Sequence, residues 1–147
     1  MTETVINGKM NLEAINTALE APNLARLATA DPVTHQPHVV PVWFGWDGQA
    51  LWISSYSNTR KVKELKSNPK GAVLIDVAEK DGSMWGILME GDTELVTGPK
   101  DWLREKIEWV YTRYLGKEGV LAPEPQEWIF DPHNLLIKLS PQKIITW

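Results

Sequence analysis

The sequence predicts a mainly β fold, a single antiparallel split barrel of six to seven strands with flanking helices. Two Asp-Gly pairs, at positions 47–48 and 81–82, lie between runs of β-branched and aromatic residues. This arrangement is the strongest short-range signal for a β-hairpin. Strands joined by hairpins form an antiparallel sheet, and such a sheet can close into a barrel. A chain of 147 residues has the length of one domain with one core, so we expect a single domain over residues 1–147.

The strands are predicted from apolar and β-branched runs that turn signals separate. In chain order these runs are LARLATA, PHVVPVWFGW, ALWISS, GAVLIDVAE and SMWGILMEGDTELVTG, followed by NLLIKLS and KIITW. Proline has no N–H group for a neighbouring strand, so Pro41 indicates an interrupted ladder or an exposed edge in the second run. The last two runs are expected to form a closing pair of strands hinged at Pro141.

Three helices are predicted beside the sheet, and the first two are short. Residues 10–21 have apolar positions at helical spacing behind Asn11, which can cap the helix. The second helix begins after Asn58 or Thr59, either of which can cap it, and ends at Asn68-Pro69. This second helix interrupts the series of strands.

The third predicted helix runs from about Lys100 to Leu115, and Gly116 is well placed to end it. Its buried face is expected to consist of Leu103, Ile107, Val110 and Tyr114. The following stretch, KEGVLAPEPQ, contains a glycine and two prolines. We expect it to be a loop.

Charge and composition exclude several classes of function. The net charge of -4 argues against a general nucleic-acid binder, because affinity for a phosphate backbone comes mainly from Lys and Arg. The sequence has no cysteine, which excludes disulfides, thiolate metal ligands and a cysteine nucleophile. No apolar run approaches the roughly 20 residues of a membrane span, and residues 1–8 lack a signal-peptide core. We therefore expect a cytoplasmic protein that binds no membrane.

The second helix concentrates positive charge at an unfavourable position. Residues 60–70 hold five of the 15 basic residues and one acid, Glu64. Arg60, Lys61 and Lys63 crowd the first turn, where the helix dipole already presents about half a positive charge. Cations there cost a few tenths of a kcal/mol each. An anion bound at this end would replace the repulsion with charge-assisted hydrogen bonds.

The stretch HVVPVWFGWDGQALWISSYSNTRKVKELKSNPKGAVLI resembles the FMN-binding split-barrel proteins related to pyridoxamine 5'-phosphate oxidase. The resemblance covers a strand, an Asp-Gly hairpin, a strand ending in small hydroxyl residues and a Ser/Thr-Arg-Lys helix start. It extends from the LARLATAD strand through the MEGDTELV strand to Trp147. It implies FMN as the cofactor and a homodimer with two cofactor sites at the subunit interface.

The resemblance also implies which residues contact the cofactor. Thr59 would donate its hydroxyl to the phosphate, while Arg60 and Lys61 would neutralise the phosphate charge. Ser54 and Ser55 would contact the phosphate or the ribityl chain. The residues implied to lie along the isoalloxazine ring are Val39, Val40, Pro41 and Val42. In addition, Trp147 is implied to lie near the cofactor of the neighbouring subunit, and Trp85 is a further candidate.

Two positions depart from the oxidase proper, which carries an Arg and a Lys where this sequence has His38 and Trp43. Neither side chain supplies the same fixed charge. The pyridoxal-phosphate-binding residues of the oxidase have no counterpart in SPQKIITW. We therefore do not expect a vitamin B6 oxidase. The implied activity is hydride transfer from a reduced nicotinamide, through FMN, to a small acceptor or oxygen, with no catalytic acid, base or nucleophile assigned.

Three alternatives stay open at this point. The deazaflavin F420 would use a similar basic helix, and its longer acidic tail would suit Lys63 and Lys66. A non-enzymatic flavin or haem binder would hold its cofactor without turnover, with His133 as a candidate haem ligand. A barrel without a cofactor would use TRKVKELK to bind an acidic partner or RNA. No metal site is expected, because His35 and His38 have no third ligand at a matching position.

Overall fold

A single curled sheet forms the centre of the molecule. The computed structural model describes residues 3–147, and within that part of the chain eight strands form one sheet. In chain order the strands are β1 (Val5–Gly8), β2 (Ala25–Ala30), β3 (Pro37–Val42), β4 (Phe44–Trp46), β5 (Leu51–Tyr56), β6 (Lys70–Ala78), β7 (Met84–Val96) and β8 (Asn134–Thr146). Seven of them follow the order β3-β2-β6-β7-β8-β5-β4 with every neighbouring pair antiparallel, as predicted. The short strand β1 was not predicted and pairs with β8 in parallel.

The connection between β3 and β4 shows that the sheet curls into a barrel. These strands lie at opposite ends of the strand order, yet Trp43 alone separates them along the chain. The two edges of the sheet must therefore approach each other at this residue. The prediction of one continuous strand over PHVVPVWFGW was wrong at Trp43, whose ring stacks on Tyr114 with centroids 4.8 Å apart and 5° between the planes.

Four helices flank the sheet in the described residues: α1 (Leu12–Ala18), α2 (Arg60–Ser67), α3 (Lys100–Gly119) and α4 (Pro123–Phe130). Asn11 caps α1 as predicted, since its Oδ1 accepts a hydrogen bond from the Ala14 amide at 2.9 Å. The regular part of α3 is interrupted at Gly116, whose φ of +79° favours glycine. None of these helices is long and apolar enough to cross a membrane.

Helix α4 corrects the prediction of a loop over KEGVLAPEPQ. Pro123 and Pro125 both lie in the first turn of α4. The amide groups of a first turn have no partner within the helix, so the missing N–H of proline costs little there. The two prolines therefore begin a helix instead of preventing one.

Strand β8 corrects a second prediction, that of two strands hinged at Pro141. The chain continues as one strand with a bulge: Glu90 pairs with Lys143 and Gly91 with Pro141, so the extra residue without a partner is Gln142 of β8. Gly91 pairs with Pro141, and a Cβ atom at Gly91 would lie 2.3 Å from the Ser140 carbonyl oxygen. The glycine thus permits the close approach that keeps the strand continuous.

Helices α3 and α4 cover a second apolar cluster outside the barrel interior. This cluster contains Ala50, Trp52, Leu103, Ile107, Val110, Tyr111, Val120, Ile129 and Leu136. Three of the four residues predicted to be buried on α3 are buried, but the fourth buried residue is Tyr111 and not Tyr114. The Tyr114 hydroxyl instead accepts from the Phe44 amide at 3.0 Å and donates to the Asn23 carbonyl at 2.8 Å. Helix α3 thereby presents Tyr111 towards the ends of β5 and β8.

Candidate functional site

A cavity of about 420 Å³ lies between the edge strand β3, strand β5 and the beginning of α2. Its volume falls within the range of about 300–1,000 Å³ found for small-molecule sites. The residues that line it are Leu24, Pro41, Val42, Trp43, Ser54, Tyr56, Lys61, Tyr111 and Trp128. The fold therefore brings four of the predicted cofactor residues into one cavity: Pro41, Val42, Ser54 and Lys61.

The β3 wall of this cavity presents alternate side chains. Val39 and Pro41 are exposed, while Val40 and Val42 turn towards the barrel core. Because β3 is the last strand at its end of the sheet, the missing N–H of Pro41 is tolerated there, as predicted. A ligand against β3 would meet the Pro41 ring and backbone, with Val42 at the margin of the core.

The N-terminal end of α2 has no side-chain cap from its own N-cap residue. Thr59 occupies the N-cap position, but its hydroxyl donates to the Tyr56 carbonyl at 2.8 Å and makes no capping bond to the helix amides. The Ser55 hydroxyl lies 3.2 Å from the same Thr59 oxygen. The first-turn amides of a helix have no intrahelical acceptor, so Thr59 leaves them able to bind an anion.

Lys61 is the cation that α2 brings to the cavity. Its side chain is half-buried, and burial lowers the pKa of the Lys61 ammonium. Within residues 3–147, no carboxylate lies within ion-pairing distance of it. The protein therefore desolvates this charge without compensating it, and an anionic ligand would supply the missing partner.

Arg60 lies in different surroundings from its neighbour Lys61. Its Nε is 3.2 Å from Glu64 Oε2, one helical turn away, and its side chain is 54% exposed. It lines a separate depression of about 740 Å³ that includes Asp31 and Lys63. The two cations predicted to neutralise one phosphate thus border two different depressions.

Glu64 is the centre of a buried polar cluster that sequence reasoning missed. Its Oε1 accepts from the Thr29 hydroxyl at 2.7 Å and lies 3.5 Å from His38 Nδ1. The hydrogen bond from Thr29 and the neighbouring Arg60 hold the pKa of Glu64 below its ordinary value of 4.5. The cluster connects α2 with β2 and β3. The single acid in a basic segment was the signal that could have identified it.

Tyr56, Tyr111 and Trp128 form an aromatic wall that the sequence analysis also missed. The Tyr111 hydroxyl lies 2.8 Å from Ser54 Oγ, and its ring meets Trp128 edge-on with centroids 5.9 Å apart. Asn134, at the start of β8, hydrogen-bonds both Ser54 and Tyr111. Periodicity identified the apolar face of α3, but it could not tell which tyrosine reaches β5.

Trp147 and Trp85 do not line the cavity of their own chain. Backbone hydrogen bonds of 3.2 Å in both directions join Trp147 to Gly86, and a Cβ atom on Gly86 would lie 2.2 Å from the Trp147 ring. Trp85 borders a separate groove beside α1. The fold therefore keeps both indoles away from the cavity within one subunit.

The histidines form no metal site within the described residues 3–147, where no group of three His, Cys, Asp or Glu side chains could hold an ion. His38 belongs to the Glu64 cluster, and His133 Nδ1 lies 3.2 Å from Ser57 Oγ. His133 borders a cavity of about 90 Å³, which is below the usual range for a ligand site.

The sequence matches a family model over most of the chain. The model is described as pyridoxamine 5'-phosphate oxidase, and it matches residues 12–147. A comparison with curated proteins gave no match.

Several solved structures share the fold. A conserved hypothetical protein from Mycobacterium tuberculosis, Rv2991, superposes with a TM-score of 0.79 at 20% identity, over 99% of this chain and 89% of that chain. A structure named F420 reductase gives a TM-score of 0.68 at 25% identity, over 88% of this chain and 94% of that chain. HutZ, the haem storage protein from Vibrio cholerae, gives a TM-score of 0.70 at 15% identity, over 92% of this chain and 94% of that chain.

Proposed function

The chain belongs to the pyridoxamine 5'-phosphate oxidase family, and from this premise we propose that it is an FMN-dependent oxidoreductase. Members of this family typically bind a flavin. The observation that carries the proposal is the cavity between β3 and α2, where a half-buried and uncompensated Lys61 faces an apolar and aromatic wall. A flavin combines an anionic phosphate with a planar ring, and the cavity offers a partner for each.

The residues present fit the phosphate of FMN. Lys61 would supply the charge, and the first-turn amides of α2 would donate hydrogen bonds beside it. The Thr59 hydroxyl donates to the Tyr56 carbonyl and lies 3.2 Å from the Ser55 hydroxyl, so both hydroxyls would have to rotate towards the phosphate to complete its site. Arg60 would contribute at longer range, since its guanidinium pairs with Glu64.

The apolar wall fits the ring of FMN. Pro41 and Val42 give the cavity an aliphatic surface, and Trp43, Tyr111 and Trp128 give it an aromatic surface. Bound in this cavity, FMN would supply hydride and electron transfer between a reduced nicotinamide and a small acceptor. The chain's own residues would bind the phosphate, orient the ring and exclude water. We do not propose pyridoxamine phosphate as the substrate, because the pyridoxal-phosphate-binding residues of the oxidase proper have no counterpart in SPQKIITW.

We propose further that the active form is a homodimer with the cavity at the subunit interface. The cavity is open to solvent, and two exposed aliphatic side chains lie on this part of the surface: Leu24, which lines the cavity, is 49% exposed, and Val39, two residues before Pro41 on β3, is 63% exposed. A second copy of the chain would cover them. Trp147 of that copy is the proposed residue that covers the ring.

The deazaflavin F420 is the second candidate cofactor. The similarity to the structure named F420 reductase covers 88% of this chain at 25% identity, which favours this alternative. Lys63 and Lys66 are exposed further along α2, where a longer acidic tail could reach them. A haem-binding role has less support, because the likeness to HutZ shows the fold alone and His133 borders a small cavity.

Two measurements test the proposal. The absorption spectrum and mass of any chromophore that co-purifies distinguish FMN from F420. Titration with FMN then tests the site: replacing both Arg60 and Lys61 with Ala should weaken binding at least about tenfold. A hydrogen bond to a charged group contributes about 1.5–3 kcal/mol, and 1.4 kcal/mol corresponds to a factor of ten. Unchanged FMN affinity in the double variant would refute the assignment.

A further inference from the structure

Ser54 and Tyr111, which line the cavity, form a closed ring of hydrogen bonds with Asn134. Ser54 Oγ lies 2.8 Å from the Tyr111 hydroxyl and 2.8 Å from Asn134 Oδ1. Asn134 Nδ2 lies 3.1 Å from the Tyr111 hydroxyl and closes the ring. The three residues come from β5, α3 and β8, so these hydrogen bonds join three elements beside the cavity.

The orientation of the Asn134 amide is fixed by a fourth contact. Asn134 is 5% exposed, and its Nδ2 lies 2.8 Å from the Trp128 carbonyl oxygen. A carbonyl oxygen can only accept a hydrogen bond, so the nitrogen of the amide must face Trp128. The amide oxygen consequently faces Ser54, because the opposite orientation would bring two oxygen acceptors together at Trp128.

This orientation determines the direction of every hydrogen bond in the ring. Asn134 Oδ1 can only accept, so the single hydroxyl proton of Ser54 is donated to it. Ser54 therefore has no proton left for Tyr111, and the Tyr111 hydroxyl must donate to Ser54 Oγ. The second amide proton of Asn134 is then donated to Tyr111. Each proton of the ring is committed to a protein acceptor.

What Ser54 still offers to a ligand is one lone pair. A serine hydroxyl carries two acceptor sites, and Tyr111 uses one of them. A phosphate dianion carries acceptors and no proton, so it would be repelled at this position. A hydroxyl group, in contrast, would donate to Ser54 without breaking any hydrogen bond among Ser54, Tyr111 and Asn134.

We propose that Ser54 is a specificity-determining residue that accepts a hydrogen bond from a hydroxyl group on the chain linking ring and phosphate in the bound flavin. This inference rests on the proposed flavin site and narrows it, since the sequence analysis left Ser54 between the phosphate and the ribityl chain. The phosphate is bound at Lys61 and the start of α2 instead. The site thus selects a ligand with a hydroxylated linker.

Three flavins test this assignment, because they differ only in the chain. FMN has the ribityl chain and the phosphate, riboflavin has the chain alone, and lumiflavin has a methyl group in its place. Dissociation constants are measured by flavin fluorescence for the wild type, Ser54→Ala and Lys61→Ala. Ser54→Ala should weaken the binding of FMN and of riboflavin by the same factor, about twofold to tenfold, and leave the affinity for lumiflavin unchanged. Lys61→Ala should weaken the binding of FMN alone.

The remaining outcomes overturn specific parts of the inference. A loss confined to FMN in Ser54→Ala would make Ser54 a phosphate contact, and an equal loss for all three flavins would make its role structural. Ser54→Thr keeps a hydroxyl and is the matched control, so it should retain the preference for riboflavin over lumiflavin. A wild-type protein that binds none of the three flavins would overturn the proposed function together with this inference.

Discussion

Arg60 Nε lies 3.2 Å from Glu64 Oε2, so the first cation of α2 is paired within its own helix, while the adjacent Lys61 is half-buried in the cavity without a carboxylate among residues 3–147. Two consecutive basic residues therefore have different electrostatic surroundings. Glu64 compensates part of the Arg60 charge, whereas the charge of Lys61 is available to a ligand. The consequences can be measured separately for the two side chains.

Single substitutions of Lys61 and Arg60 should weaken FMN binding by different factors. Lys61→Ala is expected to weaken FMN binding about tenfold or more, because it removes the one desolvated charge in the cavity. Arg60→Ala should weaken it by a smaller factor, since the guanidinium is 54% exposed and paired. Fluorescence titration measures both, with Lys66→Ala in the last turn of α2 as the matched control. A larger loss of FMN affinity in Arg60→Ala than in Lys61→Ala would contradict this prediction.

The affinity for FMN should also depend on alkaline pH through Lys61. Burial lowers the pKa of Lys61 from its ordinary value of 10.5, so the ammonium loses its proton earlier than an exposed lysine. Affinity is therefore expected to be constant near neutral pH and to fall as pH rises through the lowered pKa. Arginine keeps its charge throughout this range, so Lys61→Arg should bind FMN with little pH dependence. Identical profiles for the wild type and Lys61→Arg would show that Lys61 does not bind the phosphate.

The sequence was sufficient to predict the parts of the fold that local chemistry determines. Asp47-Gly48 and Asp81-Gly82 turn the chain between paired strands, and a glycine with positive φ lies at the second position of each pair. Asn11 caps α1, and Gly116 interrupts α3. Each of these features depends on residues within a few positions of one another, which is why pattern and turn chemistry are sufficient.

Features that depend on tertiary contacts were not predictable in this way. The division of β3 from β4 at Trp43 depends on its stacking with Tyr114, a residue of a distant helix. Helix α4 forms despite two prolines because both occupy its first turn, which composition does not reveal. The candidate site shows the same limit: Lys61 and Ser54 were identified, but Tyr111 and Asn134 come from elements far away in the sequence.

The Glu64 cluster should make the stability of the protein sensitive to acid. The pKa of Glu64 is lowered in the folded state, first by the hydrogen bond from Thr29 and then by Arg60. The folded protein therefore binds the Glu64 proton less readily than the unfolded chain, and this contribution to stability is complete above pH 4.5. It is lost as pH falls through the lowered pKa.

Replacing Glu64 with Gln tests that contribution. Glu64→Gln should lower the free energy of unfolding at pH 7 by about 1–3 kcal/mol, because a neutral amide is a weaker acceptor for Thr29 and Arg60. It should also reduce the loss of stability as pH falls below about 4.5, through the lowered pKa of Glu64. Urea unfolding at several pH values measures both effects, and Glu105→Gln, at an exposed position of α3, is the control. Equal stability of Glu64→Gln and the wild type at pH 7 would contradict the proposed role of the cluster.

A charge on the outward face of β3 should separate the proposed dimer. Val39 is 63% exposed on the outward face of β3, where a second copy would cover it. Val39→Glu is expected to shift the protein from dimer to monomer in sedimentation at micromolar concentration, because burying an unpaired carboxylate costs several kcal/mol. FMN affinity should fall with it, since the cavity would lose the wall supplied by the second subunit.

Val33→Glu is the matched control for this experiment, because Val33 is 81% exposed and lies in the turn before β3. It introduces the same charge change outside the cavity and should leave both the dimer and FMN affinity unchanged. A wild-type protein that sediments as a monomer would count against the proposed interface. If Val39→Glu stayed dimeric with unchanged FMN affinity, the second copy would have to cover a different face of the barrel, and Trp147 could not reach the ring from the direction proposed.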